Sequence, residues 1–311
     1  MKTLAAFIAI LALLGCDGDP SIERVLPPAK LSFLFAKNTG LEISYIGHRA
    51  TGGAAALADV DGDGKTEVFI GAGPASDIFR FNGTRFVSTG QLFDWGTLLP
   101  SGAAFADLDN DGDQDLVVVG AGPPLLFAND GTGNFTAATT GSGLPETDYV
   151  RTGVTAGDYD GDGRLDLFIA NWEVNVGGLM RYPSYLLHNL GGLHFEDVTE
   201  ALGLSTLTYS WGGAWFDYDG DGDQDLYEIN DTFTLPKRPD GKPDAVPDKL
   251  YENRGSQGFV DVAPQLGFDG RRGSMGFALG DLSSDGKPDV FITDVVNDHL
   301  FESNSAGFEE T

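Results

Sequence analysis

One cysteine, Cys16, is all that the chain contains, so no intramolecular disulfide can form. Histidine is almost as scarce, with four residues at positions 48, 188, 194 and 299. There is no Gly-x-Ser-x-Gly, no His-Glu-x-x-His and no phosphate-binding loop, so the usual catalytic signatures are missing. Positive charge is low: 19 Lys and Arg stand against 47 Asp and Glu, a formal net charge of -28, which argues against nucleic acid as a partner. Only 3 Met and 4 Trp accompany 44 Gly, a balance that favours many short strands and turns over long helices. The apolar run from Leu4 to Leu14 is too short to span a bilayer as a permanent helix.

What the chain has instead is carboxylate in a fixed pattern. Five nine-residue segments carry Asp at positions 1, 3 and 5, Gly at 6 and an acid at 9. They are Asp59, Asp61, Asp63, Glu67; Asp107, Asp109, Asp111, Asp115; Asp158, Asp160, Asp162, Asp166; Asp217, Asp219, Asp221, Asp225; and Asp281, Ser283, Asp285, Asp289, with Ser replacing an acid in the last. Carboxylates this close repel one another unless a cation sits among them, and a dense set of hard oxygen ligands suits Ca²⁺. The expected ligands are the side chains at 1, 3, 5 and 9 and the carbonyl of residue 7, which is Lys65, Asp113, Arg164, Asp223 and Lys287 in turn. The five turns hold 21 acids, and up to five structural Ca²⁺ would offset ten charges, so the sites account for most of the acidity.

An EF-hand loop shares the first six positions but needs a Glu at position 12 and flanking helices. Position 12 is Ile70, Val118, Ile169 and Ile292 in four segments, and only Glu228 in the fourth turn fits. Each turn runs instead into a β-rich stretch such as Leu116-Val-Val-Val119, after small apolar residues such as Gly102-Ala-Ala-Phe-Ala106. The pattern predicts strand, acidic turn, strand. A second element recurs between the turns: Leu187-His-Asn189-Leu-Gly191 leading to Phe195-Glu-Asp197-Val-Thr199, and Tyr251-Glu-Asn253-Arg-Gly255 leading to Phe259-Val-Asp261-Val-Ala263, with weaker copies at Phe127 to Phe135 and Phe79 to Phe86. It adds two strands and a turn. The first Asp residues lie 48, 51, 59 and 64 positions apart, so each unit holds four antiparallel strands.

On these residues, over about 31 to 311, the chain resembles the FG-GAP or VCBS repeat family, and the Tyr-x-Asn-x-Gly, Phe-x-Asp-Val-Thr form is similar to repeats of the cartilage acidic protein type. The resemblance implies an all-β β-propeller of four-stranded antiparallel blades, five of them here, with calcium-binding turns between strands A and B. Either Phe308-Glu-Glu-Thr311 or the segment Phe33 to Leu41 is expected to complete the fifth blade. The long B-C and blade-to-blade segments then share the face opposite the ions and carry Trp95, Trp172, Arg181, Tyr182, Trp211, Arg238 and Arg271, with Tyr149, Arg151 and Arg272 nearby. That rim suits a protein or glycan partner. A wedge role for Trp95 and Trp211 between blades is the plainer alternative, and a propeller hydrolase or lyase is the remaining one.

The N-terminus reads as an export signal over 1 to 16, with Lys2 before the apolar run, and Leu13-Leu-Gly-Cys16 resembles the bacterial lipoprotein cleavage box. By that resemblance Cys16 carries the lipid, residues 17 to 30 form a polar, Pro-rich tether, and the membrane is reached through the lipid alone, at the bacterial cell envelope.

Overall fold

Each apolar run after an acidic turn is a strand, buried on both faces in the second to fourth sheets and chiefly on one in the fifth. The computed structural model describes residues 53–71, 76–172, 182–230, 246–268, 270, 273–294, 297–304 and 307–311. The export signal, the tether and Phe33 to Leu41 lie outside them. The first sheet is β1 (Ala54–Ala58), β2 (Glu67–Gly71), β3 (Asp77–Phe81) and β4 (Phe86–Ser88), in that spatial order. The second is β5 (Leu99–Ala106), β6 (Asp115–Asn129) and β7 (Phe135–Ala137). In the third, β8 (Arg151–Gly157) and β9 (Asp166–Asn171) are followed, after the short β10 (Tyr182–Pro183), by β11 (Tyr185–Gly191) and β12 (His194–Asp197). A two-residue strand, β13 (Leu207–Thr208), pairs with β10. The fourth sheet is β14 (Ser210–Phe216), β15 (Asp225–Asn230), β16 (Lys249–Asn253) and β17 (Phe259–Asp261). After a single helical turn, α1 (Ala263–Leu266), the fifth is β18 (Ser274–Gly280), β19 (Asp289–Asp294), β20 (His299–Asn304) and β21 (Gly307–Glu310).

All of these pairings are antiparallel, and the order within each sheet is the order in the chain. The second sheet has three strands by count only: Asn129 N donates to Asp115 Oδ1 at 3.0 Å, so the two ends of β6 are together and the strand doubles back near Gly122. The fifth sheet takes its outer strand from Phe308 and its neighbours, so the C-terminal segment completes it.

Period-two alternation in the second strand of each sheet builds the core between sheets. Leu116 and Val118 join Phe69 and Ile78 of the first sheet in one cluster, whereas Val117 and Val119 join Leu167 and Ile169 of the third. Phe168 and Ala170 turn the other way, onto Leu226 and Tyr251, and Tyr227 and Ile229 turn onto Val290 and Ile292. The four main clusters are therefore the four layers between five successive sheets. Each fully buried aliphatic or aromatic side chain contributes about 1.5–3 kcal/mol, so the layers supply most of what holds the sheets face to face.

The first strands approach one another more closely than side chains would permit. A Cβ on Gly102 would come within 2.8 Å of Thr152 O, and one on Gly153 within 2.9 Å of Trp211 O. Beside each glycine an extra residue bulges out of register, and two of these stitch neighbouring sheets: Ser101 Oγ donates to Arg151 O, and Thr152 Oγ1 donates to Ser210 O at 2.6 Å. Glycine-lined inner strands meeting backbone to backbone, with sheets stacked outward from them, is the arrangement of propeller blades.

Candidate metal centres

The acidic turns have one geometry. In all five, one oxygen of the position-1 carboxylate accepts the amide of residue 5 at 3.0–3.2 Å and the other accepts that of the glycine at position 6 at 2.8–3.0 Å. The position-5 carboxylate accepts the amide of residue 7 at 2.9–3.0 Å. Two residues per turn are left-handed. Position 6 is always Gly, with φ between 81° and 97°, and position 4 is Gly62, Asn110, Gly161, Gly220 or Ser284, with φ between 60° and 82°. Gly and Asn tolerate that conformation best, so Ser284 carries the most strain of the five.

The position-9 acid is a structural hub as well as a candidate ligand. Glu67, Asp115, Asp166, Asp225 and Asp289 are all buried. One oxygen of each accepts the amide of residue 2 of its own turn at 2.7–3.2 Å. In the last four the other oxygen accepts the amide of Asn129, Asn189, Asn253 or Ser303 at 2.8–3.0 Å. Burial raises the pKa of Asp115 and Asp166 to about 6 and of Asp225 to about 7, the charged form being poorly solvated there. Carboxylates so placed are stabilised in their ionised form by a divalent cation.

Candidate ligand oxygens of positions 1, 3 and 9 converge within 4.8 Å in the first, second and fourth turns, and those of Asp158, Asp160 and Asp162 do so in the third. Among the described residues the fifth turn gathers no such trio. Among the described residues Asp109 Oδ1 is buried with no hydrogen-bond partner, and the pKa of Asp109 is raised first by burial and then by Asp111. An uncompensated carboxylate oxygen facing other carboxylates fits a hard divalent ion, so the second turn meets the requirement for Ca²⁺. Asp107, Asp109 and Asp115 would hold it there, and the ion would supply the positive charge that three converging acids lack. At position 7, the Lys65 and Arg164 side chains fold back onto Asp63 and Asp162. Glu228, the lone acid at position 12, lies inside β15 and accepts Ser184 Oγ at 2.6 Å and Thr208 Oγ1 at 3.2 Å, away from the turn.

The asparagine of the second repeated element does more than turn the chain. Asn129, Asn189 and Asn253 each send Nδ2 to the residue-2 carbonyl of the preceding sheet's acidic turn: Val60 at 2.8 Å, Leu108 at 2.8 Å and Tyr159 at 2.7 Å. The same amides also reach Gln114 O, Leu165 O and Gln224 O of their own turns at 2.9–3.2 Å. Three joints between sheets are thus clamped at the acidic turns, by residues that in sequence read only as turn formers.

The expected partner rim divides. Trp95 packs among Phe69, Phe93 and Phe127 with centroid distances of 5.2–6.1 Å, so it is a wedge in the first core layer and not a rim residue. Arg151 is also internal: it is fully buried and donates to Gly122 O at 2.8 Å, Thr147 O at 3.0 Å and Thr147 Oγ1 at 2.7 Å. Two half-buried aromatic pairs do form among the rim residues. Tyr149 stacks on Tyr182 at 3.8 Å, and Trp172 stacks on Trp211 at 5.3 Å. Arg181, Arg238, Arg271 and Arg272 lie outside the described residues.

Fold and turns together define an all-β repeat protein built like a propeller, with an acidic, cation-suited corner in each unit. FG-GAP-like repeats are present: the model of that family matches residues 59–118 and 107–169. The chain is homologous to cartilage acidic protein 1, being 28% identical to the Mus musculus protein over 211 residues and 28% identical to the Homo sapiens protein over 207, in each case 63% of this chain. It spans about a third of the length of those relatives, 32% and 31%. Solved structures similar to the chain include a lectin of Agrocybe aegerita described as recognising non-reducing terminal N-acetylglucosamine (18% identity, TM-score 0.49, 84% of this chain and 65% of that one). Another is the V. cholerae biofilm matrix protein Bap1 (16% identity, TM-score 0.43, 82% and 38%).

Proposed function

We propose that the chain is a calcium-stabilised interaction module of the bacterial cell envelope, tethered by a lipid on Cys16 and binding a partner through the face that carries its paired aromatics. The observation that carries the calcium reading is the repetition of one amide-wrapped acidic turn in five sheets, with a buried carboxylate at position 9 and an orphaned oxygen on Asp109. The ions act structurally: each fixes a turn whose position-9 acid already ties two strands together. Extracellular calcium modules bind at roughly 10⁻⁴–10⁻³ M, a range matched to an exported protein. Binding is favoured over catalysis because no catalytic signature accompanies the turns. Calorimetric melting with calcium and with EDTA tests the structural role; an unchanged melting temperature contradicts it. A pull-down from envelope extract, with and without calcium, tests adhesion or protein interaction.

Glycan binding is the second reading, favoured by the Tyr149–Tyr182 and Trp172–Trp211 stacks, whose half-buried rings offer apolar faces to a sugar. Saturable binding on a glycan array that is lost in Trp172→Ala supports it; indifference to that substitution counts against it.

A further inference from the structure

The residue preceding the clamp position in the third strand differs from sheet to sheet, and in the first, third and fourth sheets it meets that sheet's own acidic turn. By register it is Arg80, Ala128, His188, Glu252 and Glu302. Arg80 alone is a permanent cation. Its Nη2 pairs with Asp61 Oδ2, and its Nε lies 3.5 Å from Glu67 Oε1, so one guanidinium touches positions 3 and 9 of the first turn. Glu67 is fully buried, and among the described residues Oε1 has no hydrogen-bond donor, so Arg80 supplies the positive charge paired with it. The other oxygen, Oε2, accepts the amide of Val60 as its counterparts do. The extra methylene of Glu67, where the other four turns have Asp, carries its carboxylate to the guanidinium. Gly133, from the next sheet, covers the pair: a Cβ there would come within 3.5 Å of Arg80 Nη2 and 3.6 Å of Asp61 Cβ.

We propose that the first turn is not a calcium site: Arg80 is its resident cation, and the first sheet closes its acidic corner without metal. The inference rests on the calcium reading of the other turns. A delocalised guanidinium can neutralise two carboxylates at once, as a divalent ion would, here pairing with Asp61 and lying within ion-pair distance of Glu67. It also places a positive charge where an incoming ion would have to sit, so arginine and calcium exclude each other. The calcium dependence of the chain is then asymmetric, confined to the second sheet onward.

Native mass spectrometry of the wild type and of single variants, at calcium concentrations taken to saturation, tests this. Asp61→Asn should bind as many ions as the wild type, Asp109→Asn one fewer, and Arg80→Met one more, the arginine having vacated a competent ligand set. Terbium luminescence gives the same count in solution. Loss of one ion in Asp61→Asn, or an unchanged count in Arg80→Met that remains folded by circular dichroism, overturns the proposal while leaving the calcium reading intact. Absence of bound calcium from the wild type and from every variant overturns both.

Discussion

The joints between sheets are not equal. At the first three, an asparagine amide reaches across to the acidic turn of the preceding sheet; at the fourth, Ser303 stands in that place and bonds only to Asp289 of its own sheet, at 2.8 and 3.2 Å. What joins the fourth and fifth sheets is packing, much of it aromatic, and a hydrogen bond outside the acidic turns, from Ser274 Oγ to Asp248 Oδ2 at 2.8 Å. Phe268 meets Phe301 at 4.6 Å and Phe308 at 4.5 Å, and Tyr227 meets Phe277 at 5.9 Å. Packing is less directional than a hydrogen bond into a metal turn, so the second and third joints, whose clamps land on the second and third turns, are coupled to calcium binding and the last is not. A single substitution, Asn for Ser, separates the two kinds of joint.

Removing calcium should have the largest effect on this contrast. Each ion bound at millimolar concentration to a site of 10⁻⁴–10⁻³ M contributes about 1 kcal/mol, and three occupied turns give a loss of about 3 kcal/mol, or about 6 °C in melting temperature. Hydrogen exchange should show the loss at the clamped joints, β5 to β17, with β18 to β21 exchanging early whether calcium is present or not. Equal protection of the fifth sheet and the third would remove the distinction.

Asn189→Ala comes next. It leaves Leu108 O and Leu165 O without their donor, which should cost about 2–3 kcal/mol in urea denaturation and weaken calcium binding in the second turn, whose residue-2 carbonyl loses its anchor. The reciprocal change, Ser303→Asn, should add at most about 1 kcal/mol and slow exchange in the fifth sheet. If Asn189→Ala leaves stability untouched, the clamp is incidental to the fold.

A pH series on the chelated protein follows. Asp115 and Asp166 titrate near 6 and Asp225 near 7 in the folded chain, above the ordinary carboxylate value, because burial disfavours their charge. The folded state therefore binds more protons than the unfolded state between about pH 4 and 7. Their contribution to stability is present at the acid end of that window and is lost as the pH rises through 6 to 7. Saturating calcium, which favours the ionised forms, should flatten the trend; urea midpoints at pH 5 and 8 with and without calcium measure it. The smallest effect is expected from Ser283→Asp. It restores an acid at position 3 of the fifth turn, should tighten calcium there severalfold, and should leave the melting temperature within about 1 °C, because that turn lies beyond the clamped joints.

The acidic turns were legible in the sequence because everything that shapes them is local: the first aspartate of each turn, Asp107 for example, wraps amides four and five residues away, and the glycine at position 6 sets the bend. The β-rich runs were legible as strands, but a continuously apolar run such as Leu116 to Val119 does not show which residue enters which core layer; the packed sheets do. The clamps were not, since Asn189 and Leu108 are 81 residues apart and a turn asparagine looks the same whether its amide is free or shared. Arg80 escaped for a related reason, its carboxylate partners being on a different hairpin from its own. Trp95 and Arg151 were placed on a rim from their residue type and segment, which cannot tell a wedge from a binding residue; burial decides that, and it arises from sheets packing together. The Asn at position 4 of the second turn, Asn110, was the readable sign that a second left-handed residue was needed.

Long-wavelength diffraction from crystals grown in calcium chloride tests the central claim most directly. The account predicts anomalous peaks among the acids of the second, third and fourth turns, a weaker one at the fifth, and at the first turn the Arg80 guanidinium between Asp61 and Glu67 with no peak. Turns without anomalous signal throughout, in crystals saturated with calcium, would contradict it.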